Sequence, residues 1–191
     1  MRTGVFGGTF DPIHLGHLII AEQCCIQANL DRVLFIPAPR PPHKAHKEAA
    51  NFASRVEMIK LAIVGNQKFV IDTCEQDRPG LSYTVDTLNY LRNRDRGHAW
   101  FLILGGDSIR DFESWRQPRD IARMAKILIV DRPGVESVPI PEYCQYQLIV
   151  SPLIAISSTE IRERVKRGMS LRYLIPDAVE GYIRNQGLYL T

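Results

Sequence analysis

The sequence predicts an α/β fold, a doubly wound and mostly parallel sheet with helices on both faces. Three observations lead there. Apolar runs such as residues 99–104 and 127–130 are too continuous for strands with one wet face. Segments of helical periodicity alternate with them along the chain, the order of a sheet wound by crossover helices. Paired glycines, Gly7 and Gly8, close the first apolar strand just ahead of a helix. With 191 residues, 45% hydrophobic and 24% charged, the chain has the composition of one globular core.

Residues 2–6 are the first strand, and the stretch after Gly16, with Leu18, Ile19, Ala21 and Ile26, has a helix's apolar spacing. A second strand at 32–36 is stopped by Pro37, and Val56, Ile59, Leu61 and Ile63 are available for burial on a helix over 55–64. Residues 68–73 give a third strand. Val85, Leu88 and Leu91 mark a helix over 83–94, and a fourth strand follows at 100–104. Short helical segments start at Asp107 and near 119–124, before a fifth strand at 126–130 and a sixth at 147–150. Two helices close the chain at about 158–167 and 176–185, with Ser157 or Ser158 capping the first and Pro176 at the first position of the second. The plan is Rossmann-like and forms a single domain over 1–191, with the helices of about 157–187 packed on it. Ligands of such sheets bind beyond the carboxyl ends of the strands, where the strand order reverses. The connection at 37–54, rich in Pro, His and Lys, has a length that usually goes with function.

Charge and composition narrow the partners. Lys plus Arg exceed Asp plus Glu by three, with the basic residues scattered, which suits a small anionic ligand better than a nucleic-acid groove. No apolar stretch approaches the roughly 18 residues of a membrane span, and no apolar signal segment opens the chain. Adjacent Cys24 and Cys25 with lone Cys74 and Cys144 form neither a disulfide framework nor a metal-binding spacing. They read as reduced packing thiols in a cytoplasmic protein. A homo-oligomer is left open.

The chemistry concentrates between the first strand and the first helix, in Gly7-Gly8-Thr9-Phe10-Asp11-Pro12-Ile13-His14-Leu15-Gly16-His17. Paired glycines let backbone amides approach a phosphate or a ring, and the helix N-terminus that follows favours anions. The spacing is neither the dinucleotide fingerprint G-x-G-x-x-G nor the phosphate loop G-x-x-x-x-G-K-[ST], so hydride transfer and that class of hydrolysis lose ground. His14 and His17, three apart at a helix start, can present their rings on one side as donors to phosphoryl oxygens. By itself the pair could equally be half a metal site or a helix cap, but neither H-E-x-x-H nor paired cysteines supplies further ligands.

The run G-G-T-F-D-P-x-H-x-G-H resembles the motif of the bacterial nicotinate mononucleotide adenylyltransferases, within the nucleotidyltransferase superfamily marked by H-x-G-H. The resemblance continues through Pro41-Pro42-His43-Lys44, Ser82-Tyr83-Thr84, Gly105-Gly106-Asp107-Ser108, Trp115, Arg132-Pro133-Gly134, Ile156-Ser157-Ser158-Thr159-Glu160-Ile161-Arg162 and Gly187-Leu188-Tyr189. It implies transfer of AMP from ATP to nicotinic acid mononucleotide, by in-line attack of the mononucleotide phosphate on the α-phosphorus, with pyrophosphate leaving. His14 and His17 are then the catalytic pair. Gly7, Gly8, Thr9, Phe10, Gly105, Asp107, Ser158, Thr159 and Arg162 are the ATP side, the last three as a clamp on the departing pyrophosphate. Gly8, Thr9, His43, Lys44, Tyr83, Thr84, Trp115 and Arg132 are the mononucleotide side, with Trp115 stacking on the pyridine ring. Mg²⁺ is implied as the ion of ATP, held through its phosphates without protein ligands.

The chain departs from the family's pattern twice. Arg116 stands where several relatives carry a second aromatic, and Ala38 follows Pro37 where an asparagine is common. A competing class, nucleotide or nucleic-acid binding without turnover, has the mild positive charge in its favour but no use for both histidines. Phosphopantetheine and nicotinamide mononucleotide are the rival acceptors within the enzyme class.

Overall fold

The computed structural model describes residues 1–41, 50–131, 139–152 and 154–190. Its six strands are β1 (Arg2–Gly8), β2 (Arg32–Pro37), β3 (Phe69–Ile71), β4 (Ala99–Gly105), β5 (Lys126–Asp131) and β6 (Tyr146–Val150). They form one sheet in the order β3-β2-β1-β4-β5-β6, every neighbouring pair parallel. The expectation of a mostly parallel sheet is met by one that is parallel at each pairing. β3 is shorter than its apolar run suggested, because only Phe69 to Ile71 lie alongside Val33 to Phe35.

The helices are α1 (Leu15–Gln27), α2 (Phe52–Ile63), α3 (Thr84–Arg94), α4 (Gly106–Arg110), α5 (Pro118–Met124), α6 (Ser158–Lys166) and α7 (Asp177–Asn185). Strand alternation divides the core in two. Phe101 and Ile103 of β4 join a cluster with Ala21, Cys24 and Cys25 of α1, Met58 and Ile59 of α2, Ile161 of α6 and Val179 and Ile183 of α7. Trp100, Leu102 and Leu104, pointing the other way, meet Val85, Leu88 and Leu91 of α3, Ile109 of α4 and Ile121 of α5. Strands buried on both faces are the reason the apolar runs are continuous.

Helix ends follow their local chemistry. Ser157 caps α6, its Oγ accepting from the Glu160 amide at 3.1 Å. Pro176 sits one position earlier than expected, as the extended residue ahead of α7 rather than its first helical residue. The winding runs outward from β1 to β3, then returns to β4 on β1's other side. That reversal opens a crevice beyond the carboxyl ends of β1 and β4, where the turns at Gly7-Gly8 and Gly105-Gly106 lie.

Candidate active site

The turn after β1 is held rather than free. The carbonyl of Gly8 accepts from the Ala38 amide at 2.9 Å, and Gly8 pairs alongside Pro37. A Cβ added at Gly8 would meet the Phe10 ring at 3.1 Å, whereas one at Gly7 would meet nothing within 4 Å. The first glycine therefore faces open space and the second admits Phe10, whose backbone takes the left-handed φ of 50°. Phe10, expected on the ATP side, turns its ring into the core at 2% exposure. There it packs edge-on to Phe6, with centroids 5.6 Å apart, and to His17 at 5.1 Å. Through that contact its ring supports His17.

His14 is the extended residue ahead of α1, and its ring stacks on that of His17 with centroids 3.7 Å apart. The His14 backbone amide donates to His17 Nδ1 at 3.2 Å. An amide can only donate, so Nδ1 carries no proton in this arrangement and the neutral ring holds its proton on Nε2. His14 itself is buried at 7% exposure, and burial lowers its pKa to about 4. His14 is therefore a neutral imidazole at neutral pH, and His17, with its Nδ1 turned to the His14 amide, has Nε2 left to donate.

The first turn of α6 is brought onto the same loop. Ser158 Oγ donates to the Pro12 carbonyl at 2.9 Å, and Arg162 Nη1 donates to the Asp11 carbonyl at 2.8 Å. Arg162 Nη2 reaches Thr159 Oγ1 at 3.3 Å. The three residues expected to clamp pyrophosphate therefore stand together beside the histidine loop, and two of them also hold its backbone in place. Gly105 ends β4, and Asp107 lies in the first turn of α4, which begins at Gly106. His43, Lys44 and Arg132 fall outside the described residues.

On the other side of the glycine turn lies a cavity of about 340 Å³. Gly8, Thr9, Tyr83, Thr84 and Trp115, the residues expected at the ring of the mononucleotide, all line it, and so does Gly7 from the ATP side. Tyr83 precedes α3 in extended conformation and Thr84 opens that helix. Trp115 leans on Phe112, centroids 5.5 Å apart.

Among the further polar residues lining the same cavity are Ser82 and Arg116, which the sequence marks only as part of a motif and as a departure from it, and Glu75 and Thr87, which had no signal in the sequence strong enough to single them out. Glu75 is buried, its carboxylate taking a short hydrogen bond from the Thr87 hydroxyl and lying 3.4 Å from Arg78 Nη2. Arg78 also donates to Thr87 Oγ1 at 2.5 Å. Burial pushes the Glu75 carboxyl up from its ordinary range, opposed by the Thr87 and Ser82 hydroxyls and by Arg78. Glu75 and Arg78 lie between β3 and α3, and both meet Thr87 of that helix.

The chain is a nucleotidyltransferase of the cytidylyltransferase-like class, whose family model matches residues 5–164. A probable nicotinate-nucleotide adenylyltransferase of Thermus thermophilus is 47% identical over 99% of this chain and 100% of its own. One of Exiguobacterium sibiricum is 41% identical over the full length of both chains. Among solved structures, the nicotinic acid mononucleotide adenylyltransferase of Plasmodium falciparum, complexed with APC, shares the fold at a TM-score of 0.80 and 20% identity. That alignment covers 98% of this chain and 96% of the Plasmodium chain. With full-length relatives at these identities, the chain belongs to the nicotinate-nucleotide adenylyltransferase family.

Proposed function

We propose that the protein transfers AMP from ATP to nicotinic acid mononucleotide, giving nicotinic acid adenine dinucleotide and pyrophosphate in NAD biosynthesis. One observation carries the reading: a single glycine turn is flanked by a histidine pair with a hydroxyl and guanidinium cluster on one side, and by a cavity with aromatic walls on the other. That is the division of labour needed to join a triphosphate to an aromatic mononucleotide.

The attacking group is the mononucleotide phosphate, so the protein has no covalent intermediate to make. Its work is to align two anions and to stabilise charge on the transferring phosphoryl group. His17 donates from Nε2 to an ATP phosphate oxygen, with His14 stacked behind it. Thr159 and Arg162, with Ser158, take the departing pyrophosphate at the N-terminus of α6, where the helix dipole also favours anions. Gly7, Gly8 and Thr9 line the passage between the two halves, while Gly105 and Asp107 serve the nucleoside of ATP. Tyr83, Thr84 and Trp115 hold the pyridine ring, and His43, Lys44 and Arg132 are assigned to the mononucleotide's phosphate. Mg²⁺ is read as the ion of ATP; it would be held through the phosphates and would supply positive charge to them.

The domain is read as one unit over residues 1–191. Among the described residues no helix is long and apolar enough to cross a membrane, and the substrates are small anions, in keeping with a cytoplasmic role.

Pyrophosphate release from magnesium ATP, measured with nicotinic acid mononucleotide and separately with its amide, tests the proposal. Release dependent on the acid is the expected result. Folded protein that binds ATP but releases none with either acceptor would overturn it and favour nucleotide binding without turnover.

A further inference from the structure

We propose that Arg116 makes this pocket prefer an acidic ring substituent over the corresponding amide; the proposal deepens the function above and rests on it. Among the described residues lining the cavity, Arg116 is the one cation and Glu75 the one acid. Glu75 is already engaged by Thr87 and Arg78 behind the pocket wall. Arg116 is held differently, at the cavity's aromatic side. Its guanidinium lies 4.8 Å from the centroid of the Tyr83 ring, and it follows Trp115 directly in the chain. The stacking limits where the head group can be, which lowers the entropy lost when it meets an anion.

Among the described residues, the ion pair that Arg116 makes is weak. Nη1 lies 3.5 Å from Asp86 Oδ2, at the limit of a hydrogen bond, and the two side chains are 53% and 44% exposed. A guanidinium has five N–H donors in a planar fork, so a single long contact to Asp86 leaves the fork able to meet a carboxylate with two parallel bonds. A carboxamide offers one acceptor and no charge. A hydroxyl can donate to a carboxylate or accept from a carboxamide N–H, so the Tyr83 and Thr84 hydroxyls orient the ring without telling the two apart. The charge at position 116 can tell them apart.

Three variants against two acceptors test this. Arg116→Gln should lower kcat/KM for nicotinic acid mononucleotide by about tenfold or more while leaving the amide unchanged or improved. Arg116→Lys should retain only part of the preference, because the charge stays but the planar fork and its stacking on Tyr83 are lost. Asp86→Asn should increase the preference, because it removes the competing anion. An acid-to-amide ratio in Arg116→Gln within about twofold of the wild type would overturn the proposal. Arg116 is half exposed, so these variants keep the fold. Calorimetric binding of the two mononucleotides to wild type and Arg116→Gln reads the same ratio without turnover. A wild type that binds the acid preferentially but releases no pyrophosphate would sink the transfer reading and leave Arg116 to be judged by binding. A wild type with no acid preference in binding would sink the Arg116 proposal.

Discussion

A Cβ added at Gly16 would come within 3.0 Å of His14 Nδ1 and 3.1 Å of its Cε1. The glycine between the two histidines is there for space: any side chain would push the His14 ring away from the His17 ring on which it stacks. The motif's spacing was legible in the sequence, but not which nitrogen does what. That came from the His14 amide pointing at His17 Nδ1, which leaves Nε2 as the donor. Replacing His17 by alanine should lower kcat by roughly 10²-fold, the scale for losing one preorganised donor to developing charge. Steady-state kinetics on a variant of unchanged circular dichroism would check this, and an unaltered kcat would show the donor to be elsewhere. Phe10 shows the limit of reading residues one at a time. Its place in the motif suggested ligand contact, and its ring packs against Phe6, Phe35 and His17.

Between elements, the loop from β1 to α1 is held by parts of the chain far away in sequence. Arg55 of α2, fully buried, donates from Nη1 to the carbonyls of Thr9 at 2.8 Å and Ala38 at 2.9 Å, joining the loops that follow β1 and β2. Ser158 and Arg162 of α6 hold two further carbonyls along the loop, those of Pro12 and Asp11. The Leu15 amide donates to the Leu174 carbonyl at 2.9 Å. The C-terminal tail supplies the last tie, Tyr189 donating its hydroxyl to Asp11 Oδ1 at 2.6 Å with both residues buried. Burial first, and then this bond, push the Tyr189 hydroxyl up from its ordinary pKa, so it stays a donor. Tyr189→Phe should cost about 1–2 kcal/mol of stability, measured as a lower urea midpoint at unchanged slope. No loss would mean that the hydroxyl is satisfied equally well by water in the unfolded chain. None of these ties has a local sequence signal, because each joins residues between 17 and 178 positions apart; the closing Gly-Leu-Tyr could be noted, but not what it touches.

At the scale of the whole molecule, the site's burial couples chemistry to stability. His14 has a pKa of about 4 in the fold, against 6.5 for the free side chain. Between those values the unfolded chain binds a proton that the folded chain does not, so stability rises with pH across the window and is lost as pH falls through it. The full span corresponds to about 3 kcal/mol, all of it retained above the unfolded value. Urea unfolding at pH 7.5 and at pH 4 should show this loss in the wild type and much less of it in His14→Gln. Equal pH dependence in both would place the sensitive group elsewhere.

The sequence by itself determined the order and kind of the elements, the two-sided burial of the sheet and the family motifs. These depend on near neighbours: periodicities of two and 3.6 residues, glycine turns and helix caps. Tyr83, Thr84 and Trp115, grouped through the motifs they stand in, line one cavity in the structure. Only the tertiary structure decided that Glu75, Thr87 and Arg116 complete that pocket, that Phe10 serves the core, and that α6 and Tyr189 hold the loop they face. Those outcomes depend on which carboxyl ends the winding brings together and on which polar groups lose their water when it does. Desolvation and long-range pairing are properties of the assembled sheet, and no stretch of the chain carries them alone.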